Sequence, residues 1–245
     1  MVSIMRFLAA ALLLVPLAAG CAGDGDGPVT LRVLADSSLT EVMADLTAVY
    51  RQSHPHLRFR LRLDGSQILI GELDKGDVVV TADTDSLRSP DEDLEPLKIV
   101  ARNSLTIAVA PGNPLRVRGL ARLADRRLKV VSGPSTGPLG RYSQQVLGRA
   151  GVQVKPRSEE ASARAVLGLV RSGQADAGLV YITDMKSAGA AASSVAIPAA
   201  QNVGVQYPAA AVSDSPHRDD AVEFVDWLAS AEATDLFHKY GFQEP

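Results

Sequence analysis

The sequence predicts an α/β fold, built from sheets layered with helices. Three observations carry this. Apolar, strand-like runs alternate with segments of helical periodicity along most of the chain. The 245 residues are 46% hydrophobic and 22% charged, enough for one large domain or two lobes. The one cysteine, Cys21, leaves no disulfide to reinforce the core, so packing must do that work.

The elements follow in order. "LRVLA" reads as a buried strand, and Leu39, Val42, Met43, Leu46, Val49 and Tyr50 then recur at helical spacing until Pro55. At their junction Ser38 and Glu41 have the S-x-x-E spacing of a capping box, in which the hydroxyl satisfies a first-turn N–H. The same hydroxyl could instead face a ligand. "HLRFRLRLDGS" alternates, with Leu57, Phe59, Leu61 and Leu63 on one face and Arg58, Arg60 and Arg62 on a solvated one. "QILIGELDKG" is expected as a short helix ending at Gly76, and "DVVVTAD" as a short apolar strand. "DSLRSPDEDLEP" is acidic and contains proline, which suits a surface loop or a frayed helix.

"NSLTIAVAPGNP" and "RLKVVSGP" are the next strands, and "GPLGRYSQQVLGRAG" is a helix closed by Gly151. A further helix, "SARAVLGLVRSGQ", puts Ala163, Val166, Leu167 and Val170 on one side. "DAGLVYITD" and "VGVQYPAAAV" read as strands, and the C-terminal stretch from His217 as two helices broken near Ser230. Strands alternating with helices point to mainly parallel sheets.

Residues 1–20, with Arg6, an apolar run and a small-residue end, read as an export signal and not a membrane span. Cys21 follows Ala18-Ala19-Gly20, a setting that resembles a bacterial lipobox, so its thiol is expected to carry lipid. Residues 21–28 have the composition of a flexible tether. The expected location is the cell envelope, with a soluble domain held by lipid at the outer face of the cytoplasmic membrane, or the periplasm. A net charge of −3 argues against a nucleic-acid partner.

The chemistry-bearing residues narrow the function classes. A serine hydrolase needs a nucleophile, a base and an orienting acid. The four histidines are His54, His56, His217 and His238, and no G-x-S-x-G elbow accompanies them, so no enzyme activity is expected. "SPDEDLE" lacks the D-x-D-x-D-G calcium loop, and no zinc spacing is evident, so no protein-ligated metal and no cofactor is expected. Hydroxyls and small residues do gather at Ser37-Ser38, Gly65-Ser66 and "SGPSTGPLG". Such strand-to-helix junctions are where open α/β sheets collect ligands and where helix N-termini offer free N–H groups.

Seven stretches, "ADSSLTEVMADL", "DGSQIL", "GDVVVTAD", "NSLTIAVAP", "ADAGLVYITD", "YPAAAV" and "FHKYGF", resemble in order the markers of the periplasmic molybdate-binding protein family. That family supplies the substrate-binding subunit of molybdate ABC transporters, and the resemblance runs from about Val29 to Phe242. It implies a two-lobed, type II flytrap fold with two hinge crossover strands. Lobe 1 would hold residues 28–106 and 208–245, and lobe 2 residues 107–207, with "TIAVAP" and "VQYPAA" as the crossings. A tetrahedral dianion, molybdate and with it tungstate, would be gripped between the lobes by neutral donors without a metal. The carried-over donors are the hydroxyls of Ser38, Ser66 and Tyr181 and the backbone N–H groups of Leu139 and Ala163. A monomeric, lipid-held protein would deliver the anion to a membrane permease. Alternatives are the same fold tuned to sulfate, thiosulfate or another small anion, and a ligand-sensing lipoprotein.

Some residues depart from the family pattern. Asp36 stands where the family has alanine, and a carboxylate there would repel a dianion unless it faced away. "DKGDVVV" and the segment after Asp83 are shortened, and "SGPSTG" replaces G-D-P.

Overall fold

The structure, a computed structural model, describes residues 27–88 and 94–245. The expected signal peptide, Cys21 and nearly all of the tether lie outside the described residues, as does the middle of the acidic stretch after Leu87.

Among the described residues ten strands form: β1 (Val29–Asp36), β2 (Leu57–Asp64), β3 (Val78–Val80), β4 (Leu94–Asn103), β5 (Leu105–Val109), β6 (Val130–Ser132), β7 (Ser158–Glu159), β8 (Ala177–Tyr181), β9 (Ser193–Val195) and β10 (Val205–Val212). The α-helices are α1 (Thr40–Ser53), α2 (Ser66–Ile70), α3 (Pro138–Arg149), α4 (Ala163–Arg171), α5 (Ile182–Ala188), α6 (Arg218–Leu228) and α7 (Ala231–Lys239). They build two five-stranded sheets, ordered β2-β1-β3-β10-β4 and β7-β6-β8-β5-β9. Each sheet with its helices is one lobe of a two-lobed α/β protein.

The sheets are mixed, where mainly parallel sheets were expected. β1 pairs in parallel with β2 and β3, but β10 runs antiparallel to β3 and to β4. The second sheet repeats this pattern, with β5 antiparallel to β8 and β9. The cause is connectivity. β4 runs into β5 across Ser104, and residues 196–204 return the chain from β9 to β10. A strand entering from the other lobe is not constrained by a local strand–helix–strand crossover to lie parallel. The segment "TIAV" accordingly lies within the second sheet and "VQYPAA" within the first.

Polar side chains hold the two crossings together. Asn202 accepts from the Leu105 N–H at 3.2 Å and donates to the Leu105 carbonyl at 2.8 Å. Asn103 accepts from the Ser104 N–H at 2.9 Å. These side-chain amides, Asn103 buried and Asn202 half-buried, tie down the backbone where the chain changes lobes.

Both faces of β1 are covered, so it reads as continuous apolar sequence and not as an alternation. Leu31, Val33 and Ala35 pack with Leu39, Val42, Met43 and Leu46. Leu34, on the opposite face, packs with Leu69, Val79, Ala210 and Val212. The apolar run "GLVYITD", expected as strand to its end, breaks after Tyr181 into α5. Asp184 causes the break by accepting the Tyr181 N–H at 3.0 Å and satisfying the first turn. Among the described residues no helix is long and apolar enough to cross a membrane.

Candidate functional site

Asp36 ends β1 and sets the first half of the site. One carboxylate oxygen accepts from the Ser38 N–H at 3.0 Å and the Ser38 hydroxyl at 2.7 Å. The other accepts from the Ser66 N–H at 3.2 Å and the Ser66 hydroxyl at 2.7 Å. Parallel register brings these partners together: Asp36 lies opposite Asp64, two residues before Ser66 opens α2. The Ser38 hydroxyl also lies 2.9 Å from the Tyr207 hydroxyl. Asn103 donates to that Tyr207 oxygen at 3.3 Å and to the Thr183 hydroxyl at 2.9 Å.

The capping box expected at Ser38 and Glu41 is not formed. Asp36 caps a 3₁₀ turn over Ser37–Leu39, α1 starts after Leu39 without a side-chain cap, and Glu41 pairs with Arg164. The carboxylate two residues upstream takes the Ser38 N–H and hydroxyl, and Glu41, the other half of the box, is drawn to Arg164 instead. Asp36 does not face away from these serines: both of its oxygens accept from them.

The second lobe contributes helix N-termini. Gly137 is the N-cap of α3, Pro138 its first residue and Leu139 its second. Ser162 caps α4 by accepting the Ala165 N–H at 3.2 Å, which leaves Ala163 at the first helical position. N–H groups in such first turns have no intrahelical acceptor and carry the positive end of the helix dipole. The lobes meet closely here. The Gln67 side-chain amide donates to the Ala161 carbonyl at 2.6 Å, and a Cβ on Gly65 would sit 2.0 Å from that same oxygen.

Tyr181 completes the set. Its hydroxyl is buried with no hydrogen-bond partner, and its ring stands edge-on to Tyr207 at 6.2 Å. Burial, followed by the charge of Asp36, holds the Tyr181 phenol well above its ordinary range, so it stays protonated and able to donate. Burial also pushes the Asp36 carboxyl up, against the lowering effect of its serine donors. Asp184, fully buried beneath Tyr181, is pushed by burial to about 7 although Arg164 lies 3.3 Å away.

Two ion pairs latch the lobes around this centre. Arg141 of α3 pairs with Asp83 and donates to the Ser86 hydroxyl at 2.9 Å. Arg164 of α4 pairs with Glu41 of α1. The structure thus brings Ser38 and Ser66 onto one carboxylate. Tyr181 stands beside them, and the helix starts bearing Leu139 and Ala163 come from the facing lobe. Sequence reasoning missed Tyr207, Asn103 and the Arg141–Asp83 latch. Tyr207, Asn103 and Asp83 did have a signal, their places in the quoted "YPAAAV", "NSLTIAVAP" and "GDVVVTAD".

The arrangement gathers hydroxyl and N–H donors from both lobes around one carboxylate, that of Asp36. Among the described residues no group of three or more His, Cys, Asp or Glu side chains could hold a metal ion. Residues 31–243 match the family described as bacterial extracellular solute-binding protein. The chain belongs to that family. The molybdate-binding protein ModA of Mycobacterium tuberculosis is 30% identical over 230 residues, covering 91% of this chain and 88% of its own. The periplasmic molybdate-binding protein of Azotobacter vinelandii superposes with a TM-score of 0.71 at 18% identity, over 88% of this chain and 99% of that one. The sulfate-binding protein SubI of M. tuberculosis superposes with a TM-score of 0.73 at 15% identity, over 87% and 86%. The resemblance to periplasmic molybdate-binding proteins drawn from the sequence motifs is borne out, and the two-lobed fold with it.

Proposed function

We propose that this solute-binding protein captures molybdate, and with it tungstate, between its lobes and delivers the anion to an ABC permease. What supports the reading is the gathering of the Ser38 and Ser66 hydroxyls on Asp36, the Tyr181 hydroxyl on the other lobe, and the close approach of the lobes where Gln67 donates to the Ala161 carbonyl just before α4. One of those hydroxyls is buried and unpartnered. The similarity to ModA supports the choice of anion.

A dianion in a closed cleft is costly to desolvate, and several charge-assisted hydrogen bonds are needed to offset that cost. Ser38, Ser66 and Tyr181 supply adjustable donors, while the Leu139 and Ala163 N–H groups supply fixed ones. Tungstate shares the charge and shape of molybdate and meets the same donors. An anion that touches both lobes binds only the closed form, so it shifts the population toward closure. The lipid on Cys21 holds the monomer at the outer face of the cytoplasmic membrane, within reach of the permease.

The reading is not catalytic. The Ser38 hydroxyl is bonded to Asp36 and Tyr207, whereas His54 and His56 pair with Glu223 and Asp220 at the surface. Thermal unfolding with molybdate, tungstate, sulfate, phosphate and nitrate tests the proposal. An anion at about a thousandfold its Kd adds roughly 4 kcal/mol of stability, and molybdate and tungstate are expected to lead. Equal shifts for all five, or none for molybdate, would overturn it.

A further inference from the structure

Asp36 occupies the donors that an oxyanion needs. The Ser38 and Ser66 hydroxyls each point at one of its oxygens at 2.7 Å, and both neighbouring N–H groups do the same. The carboxylate therefore sits in the first lobe's half of the cradle as a resident anion. Yet the Tyr181 hydroxyl beside it has no partner. The protein's own carboxylate thus takes the serine donors, while the buried Tyr181 hydroxyl is left without an acceptor.

We propose that Asp36 makes capture of the oxyanion proton-coupled: the anion enters with one proton, shared between the Asp36 carboxyl and an anion oxygen. The ligand class is a small tetrahedral oxyanion that comes with one proton per anion, and Asp36 is the residue that sets this requirement. The inference rests on the oxyanion reading of the cleft.

The argument is one of charge. A dianion against an ionised Asp36 would place like charges in contact inside a site that excludes water. Two acids forced together in this way keep a proton between them. The surrounding groups do not supply a cation instead. Asp64, at the end of β2, is held by Arg62, Asp83 beyond β3 by Arg141, and Glu41 of α1 by Arg164. From β8 and α5 come Tyr181 and Asp184, from β10 Tyr207 and from α3 Tyr142, each neutral or acidic. Among the described residues no lysine or arginine pairs with Asp36, and its hydrogen-bond partners are all serine donors. Burial raises the hold of the Asp36 carboxyl on a proton above that of an ordinary carboxylate, so a proton arriving with the anion is more readily kept. Once protonated, Asp36 changes from a competitor for the serine donors into a donor toward the anion.

The test is calorimetric titration of molybdate into the purified protein, across a pH series and in buffers of different ionisation heat. Near neutrality the wild-type protein is expected to take up close to one proton per molybdate bound. Its affinity should then fall about tenfold per pH unit above the Asp36 titration. In Asp36→Asn the amide supplies the donor permanently, so uptake should vanish and the affinity become independent of pH. A wild-type affinity flat in pH, with no proton uptake, overturns the inference and leaves the oxyanion reading standing. Uptake that persists in Asp36→Asn overturns the assignment to this residue. No molybdate binding at any pH, by either protein, overturns both readings. The wild-type proton count stands alone if the variant does not fold.

Discussion

The Tyr181 hydroxyl is buried without a partner, and a group left that way costs the fold free energy. Removing it should therefore cost the empty protein nothing. Tyr181→Phe is expected to unfold at the same or a higher denaturant midpoint while binding molybdate more weakly by about 1.5–3 kcal/mol, the value of a hydrogen bond to a charged group. Paired denaturation and titration check this, and a variant that loses stability but keeps affinity would show that the hydroxyl serves packing alone. At this scale the sequence was half legible. Ser38 and Ser66 stood out as hydroxyls at strand-to-helix junctions, and Asp36 stood out as a departure. Which way Asp36 points was not legible, because Ser66 reaches it from 30 residues away through the β1–β2 register. The capping-box spacing at Ser38 misled for two reasons: Asp36, two residues upstream, takes the serine donors, and Glu41 is drawn away by Arg164 of the other lobe.

Helix and strand ends decide how the lobes meet. Gly65 has φ −64° and ψ 137°, a conformation open to any residue, and within its own lobe a Cβ there meets only the end of the flexible Gln67 side chain, at 2.8 Å. That Cβ would nonetheless fall 2.0 Å from the Ala161 carbonyl of the facing lobe. Gly65→Ala is expected to keep its melting temperature without ligand and to lose ten- to a hundredfold in molybdate affinity, since an overpacked contact costs about 1–3 kcal/mol. Gly137→Ala makes the control: its Cβ meets only the end of the flexible Gln67 side chain, which can move aside. Titration of both variants decides the point, and equal losses would show that closure does not depend on the Gly65 approach. Most elements were legible from period and punctuation, with α1 stopping before Pro55 and Ser230 capping α7 as their residues suggest. β4 was not, because it emerges from a proline-containing acidic stretch and carries Lys98 and Arg102. β9 has three residues, two of them serine, and owes its pairing to β5. α5 hid inside an apolar run that continues the strand before it.

Across the whole molecule, charge is placed to hold the closed form and to make stability depend on pH. Burial pushes Asp184 to about 7 from an ordinary 3.8, so the folded chain holds a proton that the unfolded chain releases between those values. The folded state binds more protons in that window, and stability therefore falls as pH rises from about 4 to about 7 and levels above it. Asp36 shifts in the same direction. Asp184→Asn removes its share of the slope, which urea denaturation of both proteins across that range would measure. An unchanged slope would show that Asp184 titrates normally in the fold. The two-lobed plan was legible through the family's ordered motifs. The latches were not, because Arg141 and Asp83 lie 58 residues apart with no local pattern to pair them.

The most direct test is a crystal structure of the protein grown with molybdate at mildly acidic pH, with the metal located by its anomalous signal. One molybdate is predicted between the lobes, its oxygens about 3 Å from the Ser38, Ser66 and Tyr181 hydroxyls and the Leu139 and Ala163 N–H groups. Molybdate elsewhere on the surface, with the Tyr181 hydroxyl still unpartnered in a closed cleft, would contradict it.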